Sequence, residues 1–111
     1  MKKVRVILSE DAQTAYKHLV VESAHSKIEK TILSSIKKKI DLIKLNYHYG
    51  EPIAKQKIPP KFNVTNLFWV ELANHWRLLY TLTNNDSDVE IIAFVLHISD
   101  HKSYDKVMKY K

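Results

Sequence analysis

The chain has 111 residues, 45% of them hydrophobic and 27% charged, so it can bury one modest core and is expected to form a single domain over 1–111. It lacks cysteine, which excludes a disulfide framework, thiolate metal ligation and thiol catalysis, and its first apolar stretch is too short for a signal peptide; a soluble, cytoplasmic protein with no membrane partner is expected. A formal charge of +6 attracts polyanions and makes nucleic acid the first partner to weigh, against the alternative that a basic composition serves no ligand.

Lys3 to Leu8 is a β-branched run that suits a strand with Val4, Val6 and Leu8 on one face. Ser9 follows as an N-cap, Glu10 and Asp11 bring negative charge to the positive end of a helix, and Ala12, Ala15, Tyr16, Leu19 and Val20 recur at helical spacing to about Glu22. Ser26 and Glu29 have capping-box spacing and open a second helix reaching about Leu45, with Ile28, Ile32, Ile36, Ile40 and Ile43 on one face. Its other face carries Lys27, Lys30, Lys37, Lys38, Lys39 and Lys44. Two amphipathic helices after a strand predict a helical hairpin over a sheet.

From Asn46 to Asn66 the periodicity is lost, and the only glycine and all three prolines fall here, which predicts a loop. Lys55, Lys57 and Lys61 stand in it beside Tyr47, His48, Tyr49 and Phe62, a mixture suited to phosphate attraction and base stacking; the competing reading is that the aromatics fold back onto the core. Leu67 to Leu72, Trp76 to Thr83 and Val89 to Ile98 then predict an antiparallel meander. Alternation puts Phe68, Val70, Leu72, Trp76, Leu78, Tyr80 and Leu82 on the core face, and Trp69, Glu71, Arg77, Leu79 and Thr81 on the other. The third of these strands is apolar on both sides, as a central strand would be, and Ser99 or Asp100 can cap a last turn of helix in a short, polar, basic tail.

The six histidines are scattered with no metal-binding spacing, and one glycine can hardly build a phosphate-cradling loop, so neither metal catalysis nor nucleotide hydrolysis is expected. What remains is Glu71 and Arg77 on adjacent strands, His97 at the end of the last strand, and His101, Lys102 and Tyr104 beyond it. Carboxylate, imidazole and guanidinium are the groups that metal-free phosphodiester cleavage needs, as proton acceptor, proton donor and fixed cation. Arg77 draws interest because lysine is the chain's usual cation, and a planar fork grips a phosphate in two places. The competing reading is a cross-strand ion pair with ordinary surface histidines.

The order strand, two helices, three strands and basic tail, with Trp76-Arg77-Leu78-Leu79-Tyr80 matching an Arg-(Leu/Val)-x-Tyr strand core, resembles the RelE/ParE toxin superfamily. His48-Tyr49-Gly50-Glu51-Pro52-Ile53 and His101-Lys102-Ser103-Tyr104-Asp105-Lys106 look similar to an archaeal RelE-like branch. The resemblance implies an α+β fold of β-α-α-β-β-β order, a helical hairpin on a mainly antiparallel four-stranded sheet, and a short C-terminal helical tail. It implies a type II toxin held silent by a cognate antitoxin and cutting messenger RNA on the ribosome, without metal or cofactor. Arg77 then matches the phosphate clamp, Glu71 or His101 the base or acid, and Tyr104 a substrate-positioning group. Lys55, Lys57, Lys61, Trp69 and Lys102 would bind RNA. Trp69 and Glu71 stand where RelE carries two catalytic lysines, which keeps open a non-catalytic alternative: a ParE-like gyrase inhibitor, or a degenerate toxin that only binds antitoxin and RNA.

Overall fold

The computed structural model describes residues 3–84 and 90–108. In chain order the elements are β1 (Lys3–Leu8), α1 (Glu10–Ser23), α2 (Lys27–Leu45), β2 (Glu51–Pro52), β3 (Phe68–Glu71), β4 (Arg77–Asn84), β5 (Glu90–Ser99) and α3 (His101–Met108), with 3₁₀ turns at Lys55–Lys57, Pro60–Phe62 and Ala73–His75. The class is α+β, as expected. The expected four-stranded sheet is corrected to five strands in the order β1-β5-β4-β3-β2: β1 lies parallel to β5, the other pairs are antiparallel, and the two-residue β2 lines the outside of β3. Val89, placed in the last strand by its pattern, lies outside the described residues.

The β1-to-α1 junction is fixed by Ser9, whose hydroxyl accepts from the Ala12 N–H and donates to the Leu96 carbonyl, each at 3.1 Å, while its own N–H reaches the Val95 carbonyl at 2.8 Å. One serine therefore caps the helix and ties its start to β5. The helical hairpin covers one face of the sheet through Ala12, Leu19, Ile32, Ile36 and Ile43, against Phe68, Val70, Leu72, Leu78, Tyr80, Ala93, Val95 and Ile98. Val20 and Ile28, read as part of the apolar stripes, are instead 45% and 55% exposed, near the hairpin's tip. Ser26 does not cap α2 with its side chain; its hydroxyl serves the Glu29 carboxylate and holds that group below the usual carboxylate range.

A second, smaller core covers the opposite face. Leu67, Leu79, Tyr104 and Met108 are buried there, with Ile53, Ile58, Phe62, Val64, Trp69 and Leu96 around them. The expected single turn at the C-terminus is therefore two turns of amphipathic helix, because Tyr104 and Met108 recur at i, i+4 and both bury. No helix among the described residues is long and apolar enough to cross a membrane.

Candidate active site

A β-bulge decides what this outer face carries. Leu79 pairs with His97 but Tyr80 pairs with Val95, so Leu96 is left over and the alternation of β5 reverses there. Ala93 and Val95 face the main core before the bulge and Ile98 after it, which turns His97 and Ser99 outward beside Leu79 and Arg77. In the same register Glu71 stands opposite Arg77.

The Arg77 guanidinium carbon lies 4.6 Å from the Trp69 ring centroid and 4.7 Å from that of Tyr104. Flat contact with π faces suits a guanidinium and restricts where the fork can swing. Its Nε is buried and lacks a hydrogen-bond partner among the described residues. The cross-strand ion pair expected as the alternative is not made: the ion pairs among the described residues are Arg5–Glu90 at 3.1 Å and His101–Asp105 at 3.2 Å. Glu71 and Arg77 instead line a common hollow of about 380 Å³ with His75, His101 and Lys102.

Each wall of that hollow has a local cause. Asp100 caps α3, its carboxylate accepting from the Ser103 N–H at 2.8 Å and its carbonyl from the Tyr104 N–H at 2.9 Å, which starts the helix so that His101 and Lys102 sit at its first turn. The Ser103 N–H, and next the Ser103 hydroxyl, hold the Asp100 carboxyl below its usual range. Opposite, the β3–β4 turn is closed by the Leu72 N–H donating to the Trp76 carbonyl at 2.8 Å, with Asn74 and His75 both in left-handed conformation, at φ 57° and 62°. That conformation is uncommon for a residue with a side chain. His97 lies outside the hollow's lining, its Nε2 2.8 Å from the Ser99 hydroxyl; burial, and next the Lys61 ammonium, lower its pKa.

Of the expected site residues, the fold thus brings Glu71, Arg77, His101 and Lys102 together. Tyr104, expected to position substrate, is only 1% exposed and packs in the second core, where its ring lies against Arg77. Trp69, expected to bind RNA, lies under the Arg77 guanidinium and packs against the second core. Lys55, Lys57 and Lys61 are exposed on the long connection and do not line this hollow; Lys55 borders another, near Ile58, Pro59 and Asn63. Phe62 folds onto the second core rather than outward. His75 was missed as a site residue because it reads as turn punctuation; its place after Asn74, two residues before Arg77, was the available signal. Among the described residues no group of three or more histidine or acidic side chains could hold a metal ion. Compared with protein-family models, curated proteins and solved structures, the chain gives no significant match.

Proposed function

We propose that this chain is a RelE-like toxin: an endoribonuclease that cuts messenger RNA on the ribosome by attack of the ribose 2′-hydroxyl, and that a cognate antitoxin silences. The observation that carries the reading is the Arg77 guanidinium held against two aromatic rings, on the wall of a hollow that also holds one carboxylate, two imidazoles and an ammonium. Arg77 and Lys102 are the cations for the non-bridging phosphate oxygens. Glu71 or one imidazole takes the 2′-hydroxyl proton as O2′ bonds to phosphorus. As the bond from phosphorus to O5′ breaks, a protonated His75 or His101 gives O5′ its proton, leaving a 2′,3′-cyclic phosphate and a 5′-hydroxyl.

Translation reactions programmed with one messenger RNA test this by primer extension. The expected result is new 5′ ends inside codons when the protein is added, and at least about a tenfold loss of them in Arg77→Met, which keeps a side chain against Trp69 but removes the charge. Absence of new ends at protein concentrations matching the ribosome, or an unaltered rate in Arg77→Met, would remove the reading.

A further inference from the structure

The last helix sets a carboxylate beside one imidazole of the Arg77 hollow. Tyr104 and Met108 of α3 bury in the second core, which fixes how the helix is rotated about its axis. His101 and Asp105, one turn apart, are then neighbours on an outward flank, and His101 Nε2 lies 3.2 Å from Asp105 Oδ2. The hollow has a second imidazole, that of His75, but of the two only His101 makes an ion pair among the described residues.

As a stabiliser of the helix this pair is badly placed. The favourable order has the acidic residue first and the basic one four residues later, whereas here the acid follows. Asp105 also brings negative charge to the last turn, where the free backbone carbonyls already gather it. The two side chains are 54% and 36% exposed, so water screens their attraction. What the contact does fix is how the ring is used. A carboxylate only accepts, so Nε2 carries its hydrogen toward Asp105, and Nδ1 is the nitrogen left for a ligand. In the imidazolium, Nδ1 carries a hydrogen as well, and that is the proton the ring can give away while Asp105 keeps hold of it.

We propose that Asp105 is a positioning residue for RNA cleavage: it holds His101 by Nε2–H so that Nδ1–H delivers the proton to the leaving O5′, an inference that rests on the RNA-cleaving reading. The step balances with groups at hand. Glu71, as a carboxylate, accepts the 2′-hydroxyl proton while O2′ bonds to phosphorus. The bond from phosphorus to O5′ breaks, O5′ takes the proton from Nδ1 of His101, and the ring is left neutral with its Nε2–H still on Asp105.

A messenger RNA with sulfur in place of O5′ at the cleaved linkage tests this, because a thiolate leaves without being protonated. Single-turnover rates in translation reactions are compared on the oxygen and sulfur messages. Asp105→Ala removes the carboxylate and, alanine being the strongest helix former, does not weaken α3. It is expected to lower the rate on the oxygen message by at least about tenfold. Asp105→Glu, which restores a carboxylate, is expected to recover much of that loss. On the sulfur message wild type and Asp105→Ala are expected to cleave at the same rate. An unaltered rate in Asp105→Ala on the oxygen message would overturn the role. So would an equal loss on both messages, which would mean that Asp105 only supports the fold of α3. Cleavage of neither message by the wild type would sink the proposed function itself; cleavage of both at rates indifferent to Asp105 would sink this role alone.

Discussion

Arg77 and Trp69 sit on neighbouring strands with the guanidinium carbon 4.6 Å from the indole ring centroid, so the cation most suited to a phosphate is held by an aromatic neighbour rather than by a carboxylate. Holding it this way leaves its charge uncompensated for a ligand. Trp69→Leu, which keeps an apolar side chain in the second core but removes the ring, is expected to lower RNA cleavage by about ten- to a hundredfold through a misplaced clamp. Trp69→Phe, which keeps a ring, is expected to retain more activity. Single-turnover rates on one messenger RNA, with far-UV circular dichroism to verify folding, measure both; equal rates in wild type and Trp69→Leu would show that the contact positions nothing.

Tyr80 is the second fixed point of the fold. Its ring stacks on Phe68 at 5.2 Å between centroids, and its buried hydroxyl accepts from the Gly50 N–H and donates to the Tyr47 carbonyl, each at 2.9 Å. Tyr80→Phe should cost about 1–3 kcal/mol, because it strands a buried backbone donor. Gly50→Ala should destabilise too, since its Cβ would stand 2.8 Å from the Tyr80 ring and 3.1 Å from the Trp69 carbonyl oxygen. Urea denaturation measures both. Burial raises the Tyr80 pKa, so its contribution is full below the ordinary value of 10.0 and is lost as pH climbs above it.

The alternation of β3 and β4 already assigned Trp69, Glu71, Arg77 and Leu79 to one face, because pleating is local and leaves its period in the sequence. The bulge at Leu96 left no such mark: Phe94, Val95, Leu96 and His97 contain no glycine, and only pairing with β4 shows which residue is left over. The second core was equally hidden. Ile53, Ile58, Phe62 and Val64 follow no period, since each reaches the sheet from an irregular connection and is held by contacts distant in sequence. The burial of Tyr104 was hidden as well, because its polar neighbours mask the i, i+4 relation to Met108. Strand β2 escaped notice for a simpler reason: two residues are too few to alternate.

His97 should make the fold sensitive to mild acid. Burial and the nearby Lys61 disfavour its protonated form, with Asp11 opposing them, so the folded chain binds fewer protons than the unfolded chain as pH falls below the ordinary value of 6.5. Its contribution is therefore full above that value and is lost as pH falls through the lowered folded pKa. Urea midpoints at about pH 7.5 and about pH 5 should differ less in His97→Gln than in wild type. An identical difference in the two proteins would assign the acid sensitivity to other groups.

Asp100 links helix capping to the site, because α3 carries His101 and Lys102 into the hollow and Tyr104 against Arg77. Asp100→Ala should cost about 1 kcal/mol and lower cleavage as the first turn frays. Asp100→Asn, which retains an acceptor for the Ser103 N–H, should largely restore both. The wild-type carboxylate's contribution is full above its ordinary pKa of 3.8 and declines as pH falls through the lowered folded value. Denaturation midpoints and cleavage rates compared across the two variants separate the cap from the charge.

His75 offers the sharpest separation of stability from chemistry. It is exposed and stands at φ 62°, directly after Asn74 at φ 57°, so the turn holds two side-chain-bearing residues in the region that glycine occupies freely. Asparagine tolerates that region through local hydrogen bonding, whereas for histidine the strain is of order 1 kcal/mol with no core contact in return. Glycine would relieve the strain and offset it in part through greater freedom of the unfolded chain, so His75→Gly should leave stability unchanged or raise it by up to about 1 kcal/mol. If the imidazole moves a proton in the hollow, the same substitution should lower cleavage by at least about tenfold. A variant both less stable and equally active would mean that His75 shapes the turn and takes no part in the reaction.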